Sequence, residues 1–378
     1  MAGRLVVIQP DSFHRRGTDL LLEAKTLSGV TAFARQWPGD VTVVARPATG
    51  DPPSHLVQTR IASLQFDVIL SDDLFNPAHR RGASATLALH TVGNVPLLRF
   101  EPHRLILLTE NPLRQRLATS FIGNSAVGGA RSAIGHLRRA PALWNMVRAA
   151  GGIQCNGYPT WNAYAHLSDN PILFFDSRVT DTQIAKSQSE FAATSTATKP
   201  LTAAFSGRLI AMKGPQYAIQ AIQSVSESDI DRIFVLGDGD MAESLKRQSR
   251  AIGHRVDFVG HLPYETEWVE FIRQHVNVML LPHTQGDPAG TYIESSALGV
   301  PVVGFANQAL SPLADRHGIG WTVRMRTSSA LSTKLKELAR SPQQVRAAGE
   351  RGIDFASRHT FETEFRRRVL HIREVVQD

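Results

Sequence analysis

The fold is decided by Leu281-Pro-His-Thr-Gln-Gly-Asp-Pro-Ala-Gly-Thr-Tyr-Ile-Glu-Ser-Ser-Ala-Leu-Gly-Val-Pro-Val-Val-Gly-Phe305, where a strand, a glycine-containing loop, a helix and a second strand follow one another. The apolar run from Val276 to Leu281 is typical of a strand that is buried on both faces of a parallel sheet. Gly286 and Gly290 let the backbone approach a ligand closely, and a helix that begins there points its free N–H groups at an anion. The stretch therefore predicts a site for a phosphate-bearing ligand.

Glu294 lies about one turn inside the predicted helix, which begins at Gly290 or Thr291 and ends at Gly299. A carboxylate at this depth accepts hydrogen bonds from the vicinal hydroxyls of a ribose, while the helix N-terminus meets a diphosphate. Glutamate is also favoured near the start of any helix, but this alternative does not explain the loop before it. We therefore expect Glu294 and the backbone near Thr291 to bind a nucleotide.

Two α/β domains are expected from the length of 378 residues and from the alternation of strand-like and helix-like segments. Strands are predicted at Arg4–Gln9, Val41–Arg46, Phe66–Leu70, Leu105–Thr109, Ile153–Cys155, Ile172–Phe175, Thr202–Ser206, Arg232–Leu236, Val256–Val259, Val276–Leu281 and Pro301–Phe305. The stretch from Ser187 to Pro200 is poor in large apolar residues and is predicted to be the linker. The tail from Phe361 to Val376 is predicted to be an amphipathic helix that docks on a domain surface, with a membrane-lying helix as the alternative.

Positive charge is unevenly distributed along the chain. The formal net charge is +7, yet no Asp or Glu occurs from Asn111 to Ser168. This stretch contains six arginines interleaved with apolar residues, namely Arg114, Arg116, Arg131, Arg138, Arg139 and Arg148. Solvated helix faces are one interpretation, and contact with anionic lipid or a phosphate-bearing acceptor is the other. Nucleic acid is not expected as a partner, because no helix-turn-helix, zinc-finger or aromatic RNA-binding signature is found.

Cysteine content and hydropathy favour a cytoplasmic protein. Cys155 is the only cysteine, so an intramolecular disulfide is excluded. The apolar stretch at the N-terminus is too short for a signal peptide, and no apolar run reaches the roughly 20 residues of a membrane span. If the basic stretch contacts lipid, the expected location is the inner face of the membrane.

The first loop of the second half places two cations beyond the end of a predicted strand. Arg208 follows this strand directly after Gly207, and Lys213 precedes the next helix. An arginine fork and a lysine ammonium suit a diphosphate, because they hold it and neutralise it as a leaving group. Surface positions without a function are the alternative, but ligands of such sheets bind beyond the carboxyl ends of the strands.

The next two loops carry weaker signals. Gly237 and Gly239 let the backbone approach a ligand, although a simple tight turn explains them equally well. His261 follows the third strand, where it either lies beside a base or ribose or caps a loop. The residues leave these alternatives open.

Together these motifs resemble the retaining nucleotide-sugar glycosyltransferases of the GT-B fold, family 4 (glycosyl transferases group 1). The resemblance rests on segments that span about a hundred residues in the expected order, namely Ser206-Gly-Arg-Leu, Lys213-Gly, Gly237-Asp-Gly, Phe258-Val-Gly-His-Leu-Pro263 and Tyr292-Ile-Glu-Ser-Ser-Ala-Leu-Gly-Val-Pro-Val-Val303. It implies an α/β protein with two Rossmann-like doubly wound domains that face each other across a cleft. Residues 1–195 would be the acceptor domain, 196–358 the donor domain, and 359–378 a helix that returns to the first domain.

The resemblance also implies roles for the motif residues. Arg208 and Lys213 would bind the donor diphosphate and Glu294 the ribose of a UDP- or GDP-linked sugar. The rest of the donor site would comprise Gly207, Gly237, Gly239, His261, Ala289, Gly290 and Thr291. No metal or other cofactor is expected, since the two cations take over the charge-neutralising role of a metal.

One position departs from the family pattern. The family carries a second glutamate eight positions before the ribose-binding one, and Gly286 stands at this place. Asp287 is the nearest acid, and Asp287-Pro-Ala-Gly290 resembles the acid-x-x-Gly loop of the family shortened by one residue. We expect Asp287 to contact the donor sugar in place of the missing glutamate; an altered donor pocket and a lost activity are the alternatives.

The first half resembles the family only in layout. Glu110 follows the predicted strand Leu105–Thr109 and is expected near the reacting sugar, with Asn111 beside the acceptor. His14, Arg15 and Arg16 lie in a predicted loop from Pro10 to Thr18, where they either contact an anionic acceptor or are solvated.

The sequence thus predicts a glycosyltransferase of the hexosyltransferase type. Its acceptor would be a saccharide or a lipid-linked saccharide of cell-surface polysaccharide, lipopolysaccharide or glycolipid synthesis. A sugar-nucleotide epimerase or hydrolase of the same fold and a non-catalytic nucleotide-sugar-binding protein are the alternatives.

Overall fold

The computed structural model describes residues 3–53, 55–122, 125–193, 200–286 and 290–377. Contacts divide the chain into two units. The first unit comprises Met1–Arg116, Arg131–Phe174 and Glu362–Asp378, and the second comprises Leu117–Ala130 and Phe175–Phe361. The domain boundaries expected from the sequence, after residues 195 and 358, stay predictions.

The first unit is built on a mostly parallel sheet. Its described strands are β1 (Arg4–Arg16), β2 (Asp19–Leu22), β3 (Val41–Pro47), β4 (Val57–Arg60), β5 (Asp67–Leu70), β6 (Ala83–Leu89), β7 (Leu105–Thr109), β8 (Gly152–Asn156) and β9 (Pro171–Phe174). Strands β5, β3, β1, β6, β7, β8 and β9 are neighbours in this order and run parallel, while β2 and β4 continue from β1 as antiparallel partners. The helices described in the first half of the chain are α1 (Ala24–Gln36), α2 (Leu113–Thr119), α3 (Ala126–Ala149) and α4 (Gly157–Tyr164).

The second unit is built on a parallel sheet in the order β12, β11, β10, β13, β14, β15 over the described residues. These strands are β10 (Leu201–Ser206), β11 (Ile230–Leu236), β12 (Val256–Gly260), β13 (Val278–Leu281), β14 (Val302–Phe305) and β15 (Gly320–Val323). The helices before, between and after them are α5 (Asp181–Ala193), α6 (Pro215–Gln223), α7 (Ala242–Ser249), α8 (Val269–His275), α9 (Gly290–Ser296), α10 (Leu310–His317), α11 (Ser328–Ala339) and α12 (Pro342–Ser357). The alternation of parallel strands and helices confirms the doubly wound α/β class for both units.

The stretch 281–305 folds as predicted where it is described. All four residues of β13 and all four of β14 are buried, as expected of strands covered on both faces. Gly299 has a φ of +73°, and the N–H of Val300 donates to the carbonyl of Ser295 over 3.1 Å. These are the features of a Schellman motif, which satisfies the last carbonyls of the helix.

Two predicted loops are ordered structure instead. Strand β1 continues to Arg16 and pairs with β2, so that His14, Arg15 and Arg16 lie in a β-hairpin and not in the expected loop. Phe13 and Leu20 are buried, which explains why the hairpin is held against the core. The predicted linker also begins inside a helix, because α5 extends to Ala193; residues 194–199 lie outside the described residues.

Helix α13 (Phe361–Gln377) confirms the predicted C-terminal helix, and from Glu362 it belongs to the first unit. The ring of Phe365 meets Phe33 edge-on at 5.0 Å between centroids. The guanidinium of Arg368 lies 4.3 Å from the ring centre of Phe174, and its Nε donates to Oε1 of Gln154 over 2.8 Å. The Nε2 group of Gln154 donates back to the Arg368 carbonyl over 3.0 Å. This reciprocal pair, which is buried, fixes the helix on the sheet.

We expect Arg368→Ala to lower the free energy of unfolding of the first unit by about 2–4 kcal/mol, because Gln154 loses a charged donor inside the core. This loss is measured by urea unfolding, monitored through hydrogen exchange of the backbone amides of β8. Arg366→Ala is the matched control, since Arg366 is exposed on the same helix and a change within about 0.5 kcal/mol is expected. Equal effects of both substitutions would contradict the prediction.

Candidate functional site

The candidate donor site is formed by loops at one edge of the second sheet. Strands β12, β11, β10 and β13 are neighbours and parallel, so the loops that begin at His261, Gly237, Gly207 and Pro282 emerge side by side. The sequence placed its candidate donor residues in these loops. The structure therefore brings together the loops that the motifs identified.

Glycines allow the loops after β10 and β11 to come into contact. A Cβ at Gly237 would lie 2.1 Å from the carbonyl oxygen of Gly207, and a Cβ at Gly239 would lie 2.7 Å from that of Leu209. Both glycines have positive φ, and the N–H of Leu209 donates to the Asp238 carbonyl over 2.8 Å. The Gly-x-Gly motif is thus required for packing of the loops, whether or not it also contacts a ligand.

The loop after β13 packs against the loop after β10 in the same way. A Cβ at Gly214 would lie 2.1 Å from the carbonyl oxygen of Pro282, and Gly214 has a φ of +73°. The N–H of Thr284 donates to the Met212 carbonyl over 2.9 Å. The segment that carries Lys213 is therefore held against the loop after β13.

The two predicted phosphate-binding cations occupy different environments. The side chain of Arg208 is exposed beyond β10, whereas Lys213 is half-buried at the end of a short 3-10 turn. Lys213 lies close enough to His283 for its charge to act on it: burial and then this charge lower the pKa of His283 well below its ordinary value. The phenol of Tyr292 lies 3.0 Å from Nδ1 of His283 and so connects β13 to α9.

Glu294 lies on α9 and is buried, with 4% of its surface exposed. Its carboxylate is paired with Arg178, which donates from Nε to Oε1 over 2.8 Å and from Nη2 to Oε2 over 3.1 Å. This two-point geometry is the strongest that an arginine makes with a carboxylate. Burial lowers the pKa of Arg178, but the hydrogen bond and the charge of Glu294 outweigh it and raise that pKa above its ordinary value.

Arg178 was not identified from the sequence. Its guanidinium lies 3.9 Å from the ring centre of Tyr264, which stacks on Trp268, and Nε1 of Trp268 donates to Oγ of Ser206 over 2.8 Å. This series of contacts runs from Glu294 to the residue before Gly207. A cation that follows a predicted strand drew attention to Arg208, and the same rule applied to the strand Ile172–Phe175 would have identified Arg178.

The loop before α9 is only partly described. Asp287 and Ala289, which the sequence assigned to the donor sugar, lie outside the described residues. Gly290 begins α9, where a Cβ would lie 3.2 Å from Oε1 of Glu294, and Thr291 follows it half-buried. The start of the helix and the carboxylate are therefore adjacent, as predicted.

The described part of the loop also explains why the first glutamate is absent. Gly286 is buried, and a Cβ there would lie 2.7 Å from Cβ of Gln308 and 3.1 Å from its backbone nitrogen. Any side chain at this position collides with the neighbouring loop. The second unit thus excludes a glutamate at position 286 in the described backbone conformation.

The remaining candidate residues lie at the ends of strands. His261 is exposed directly after β12. In the first unit, Glu110 is half-buried directly after β7, and Asn111 is exposed and accepts a hydrogen bond at its carbonyl from Nε of Arg116 over 2.7 Å. The roles assigned to these residues stay predictions.

Within the described residues, no group of three or more His, Cys, Asp or Glu side chains is placed to hold a metal ion. Among the described helices, none is both long and apolar enough to cross a membrane.

Residues 186–355 match the family model of glycosyl transferases group 1. The matched segment lies within the second unit and contains the four loops and Glu294. This segment of the chain is therefore similar to glycosyl transferases group 1. Curated protein sequences gave no match.

Solved structures with the same fold cover nearly the whole chain. Sucrose-phosphate synthase from Thermosynechococcus elongatus has a TM-score of 0.67 at 16% identity, with 99% of each chain covered. HepE from Anabaena, solved in complex with UDP-glucose, has a TM-score of 0.62 at 12% identity, with 97% of this chain and 98% of that chain covered. WaaG, a glycosyltransferase involved in lipopolysaccharide biosynthesis, has a TM-score of 0.60 at 12% identity over the same shares. The two parallel sheets and these similarities establish the GT-B fold.

We expect Gly286→Ala to lower the free energy of unfolding by about 1–3 kcal/mol, because the added methyl group overpacks the contact with Gln308. Thermal unfolding measures the change. Gly93→Ala is the control, since its Cβ would find Thr91 Oγ1 at an ordinary 3.8 Å. A Gly286→Ala protein as stable as the wild type would show that Gln308 is not what excludes a side chain here.

Proposed function

We propose that this chain transfers a sugar, of the hexose type, from a UDP- or GDP-linked donor to a hydroxyl acceptor with retention of configuration. The buried carboxylate of Glu294, set at the start of α9 beside four loops of a glycosyltransferase domain, carries the proposal. Its oxygens would accept hydrogen bonds from the ribose hydroxyls of the donor. The complex of HepE with UDP-glucose supports a nucleotide-sugar donor for a chain of this fold.

The reaction needs positioning and charge neutralisation more than covalent chemistry. The bond between the anomeric carbon and the diphosphate oxygen breaks, the acceptor oxygen forms a bond to the same carbon, and the proton of the acceptor hydroxyl passes to the departing diphosphate. Arg208 and Lys213 would neutralise the charge that develops on the leaving diphosphate. We infer that no metal is required, because these two cations meet that demand.

Arg178 is a positioning residue in this proposal. A buried carboxylate without a counter-charge is costly, and the two-point pair with Arg178 supplies that charge and holds the Glu294 carboxylate in one orientation. The remaining lone pairs of its two oxygens would accept the ribose hydrogen bonds. Asp287 would contact the donor sugar, and Glu110 the reacting region on the acceptor side.

Donor binding is tested by a thermal-shift screen of the wild type against UDP-glucose, GDP-mannose and ADP-glucose. A ligand that binds only the folded protein raises its stability by about 4 kcal/mol at 1,000 times the dissociation constant. We expect one donor to raise the melting temperature, and Glu294→Gln and Arg208→Ala each to remove most of that rise. Glu337→Gln is the control, because Glu337 is exposed on α11 of the same unit.

Product analysis decides between the three candidate activities. Transfer to a saccharide acceptor supports the proposal, and release of free sugar or an epimerised donor without acceptor would indicate a hydrolase or epimerase. A rise in melting temperature with donor but without any turnover would identify a nucleotide-sugar-binding protein, the alternative that would tolerate the missing glutamate at position 286.

The acceptor is proposed to be presented at the inner surface of a membrane, for synthesis of a cell-surface polysaccharide, lipopolysaccharide or glycolipid. Helix α3 carries Ile134, Leu137 and Trp144 at helical spacing, and 49%, 52% and 38% of their respective surfaces are exposed. Arg131, Arg138 and Arg148 lie on the same exposed side. We name these six residues the α3 face; apolar side chains between cations suit an interface with anionic lipid.

We expect Leu137→Asp to weaken flotation with anionic vesicles about tenfold, because an apolar side chain that inserts into lipid contributes about 1.5 kcal/mol or more. Leu370→Asp is the matched control, since Leu370 is an equally exposed leucine on α13, with 44% of its surface accessible. If both variants float like the wild type, the α3 face does not contact the membrane.

A further inference from the structure

We propose that a basic pocket of the first unit binds the phosphate or pyrophosphate group of a lipid-linked acceptor. The pocket has a volume of about 370 Å³ and is lined by Val92, Leu113, Arg116, His136, Arg139 and Leu143. This size falls in the range of small-molecule sites, about 300–1,000 Å³. The proposal rests on the glycosyltransferase function argued above and assigns that function a class of acceptor.

The positive charge of the pocket favours an anionic ligand. Arg116 and Arg139 bring two permanent positive charges to one cavity, and the surrounding stretch from Asn111 to Ser168 contains no Asp or Glu. Burial and then the charges of Arg116 and Arg139 lower the pKa of His136. A phosphate group would relieve this repulsion, and the planar guanidinium fork matches its oxygens.

Hydrogen bonds fix the walls of the pocket and connect it to the predicted acceptor loop. Nε of Arg116 donates to the Asn111 carbonyl over 2.7 Å, and Nη2 donates to the His90 carbonyl over 3.3 Å. Burial lowers the pKa of His90 to about 4, so its ring is neutral and Nε2 donates to the Leu143 carbonyl over 2.9 Å. Arg116 is thereby oriented directly beside the residues that follow β7.

The source of the phosphate is indicated by the apolar part of the pocket and by its neighbourhood. Val92, Leu113 and Leu143 offer hydrocarbon surface next to the cations, which suits a phosphate attached to a lipid chain better than a free one. On helix α3, the pocket residues His136, Arg139 and Leu143 lie at helical spacing on a different side from Leu137 of the α3 face.

The proposal is tested by comparing two kinds of phosphatidylcholine vesicle at matched surface charge. One contains phosphatidic acid, which has a terminal phosphate, and the other contains phosphatidylglycerol. We expect the wild type to prefer phosphatidic acid, and Arg139→Gln and Arg116→Gln each to reduce this preference about tenfold, since a charge-assisted hydrogen bond of that worth is lost. Arg138→Gln is the matched control: it removes the same charge from the next position and should weaken binding to both vesicles equally. Unchanged melting temperatures show that the variants fold.

Other outcomes overturn the proposal in distinguishable ways. Equal effects of Arg139→Gln and Arg138→Gln would show that the pocket contributes only general positive charge and no specific phosphate contact. Stabilisation of the wild type by inorganic pyrophosphate, lost in Arg139→Gln and without a preference among vesicles, would show that the ligand is a soluble phosphate. The thermal shift of Glu294→Gln and Arg208→Ala with UDP-glucose tests the donor site alone. A failed donor proposal and a failed pocket proposal therefore give different results.

Discussion

Close approach of backbone loops at the carboxyl edge of a parallel sheet is the constraint on which the second unit depends. The strands bring their loops to one edge, where the backbones of neighbouring loops come into close contact. Gly237 lies against Gly207, and Gly214 lies against Pro282, at distances that leave no room for a Cβ. The same constraint applies at Gly286, where Gln308 fills the space of a side chain. The chemistry of the site therefore falls to the few residues that project from these loops.

A second constraint follows from burial of charge. Glu294 is withdrawn from water on α9, and a carboxylate in that position requires a partner. Arg178 supplies it and is itself supported by the ring of Tyr264. Trp268 continues the series to Ser206 at the end of β10. The predicted ribose-binding group and the predicted diphosphate loop thus belong to one packed network, and a change at Tyr264 or Trp268 would be felt at both.

The first unit is also built on a sheet, but its C-terminal helix and its surface differ from those of the second unit. Its C-terminal helix is held by Arg368 and Gln154, a buried polar pair between residues 214 positions apart. Its helix α3 exposes apolar side chains beside arginines, and Arg116 and Arg139 line a pocket of the same unit. The proposal of an anionic acceptor rests on these features, while the segment that matches glycosyl transferases group 1 lies in the second unit.

By itself, the sequence determined the doubly wound α/β class, five of the six described strands of the second sheet (all but β15) and the loops that hold the candidate donor residues, because these follow from local periodicity and from glycine and proline at the ends of elements. Strand β6 was missed since its alanines and serine resemble no strand in isolation, and the hairpin at His14 depends on burial of Phe13 and Leu20. Only the tertiary structure decided that Arg178 pairs with Glu294, 116 positions away, that Gly286 admits no side chain, and that Arg116, His136 and Arg139 line one pocket. The physical reason is that pairing of charges and exclusion of atoms depend on distance in space, which a local pattern of residue types does not encode.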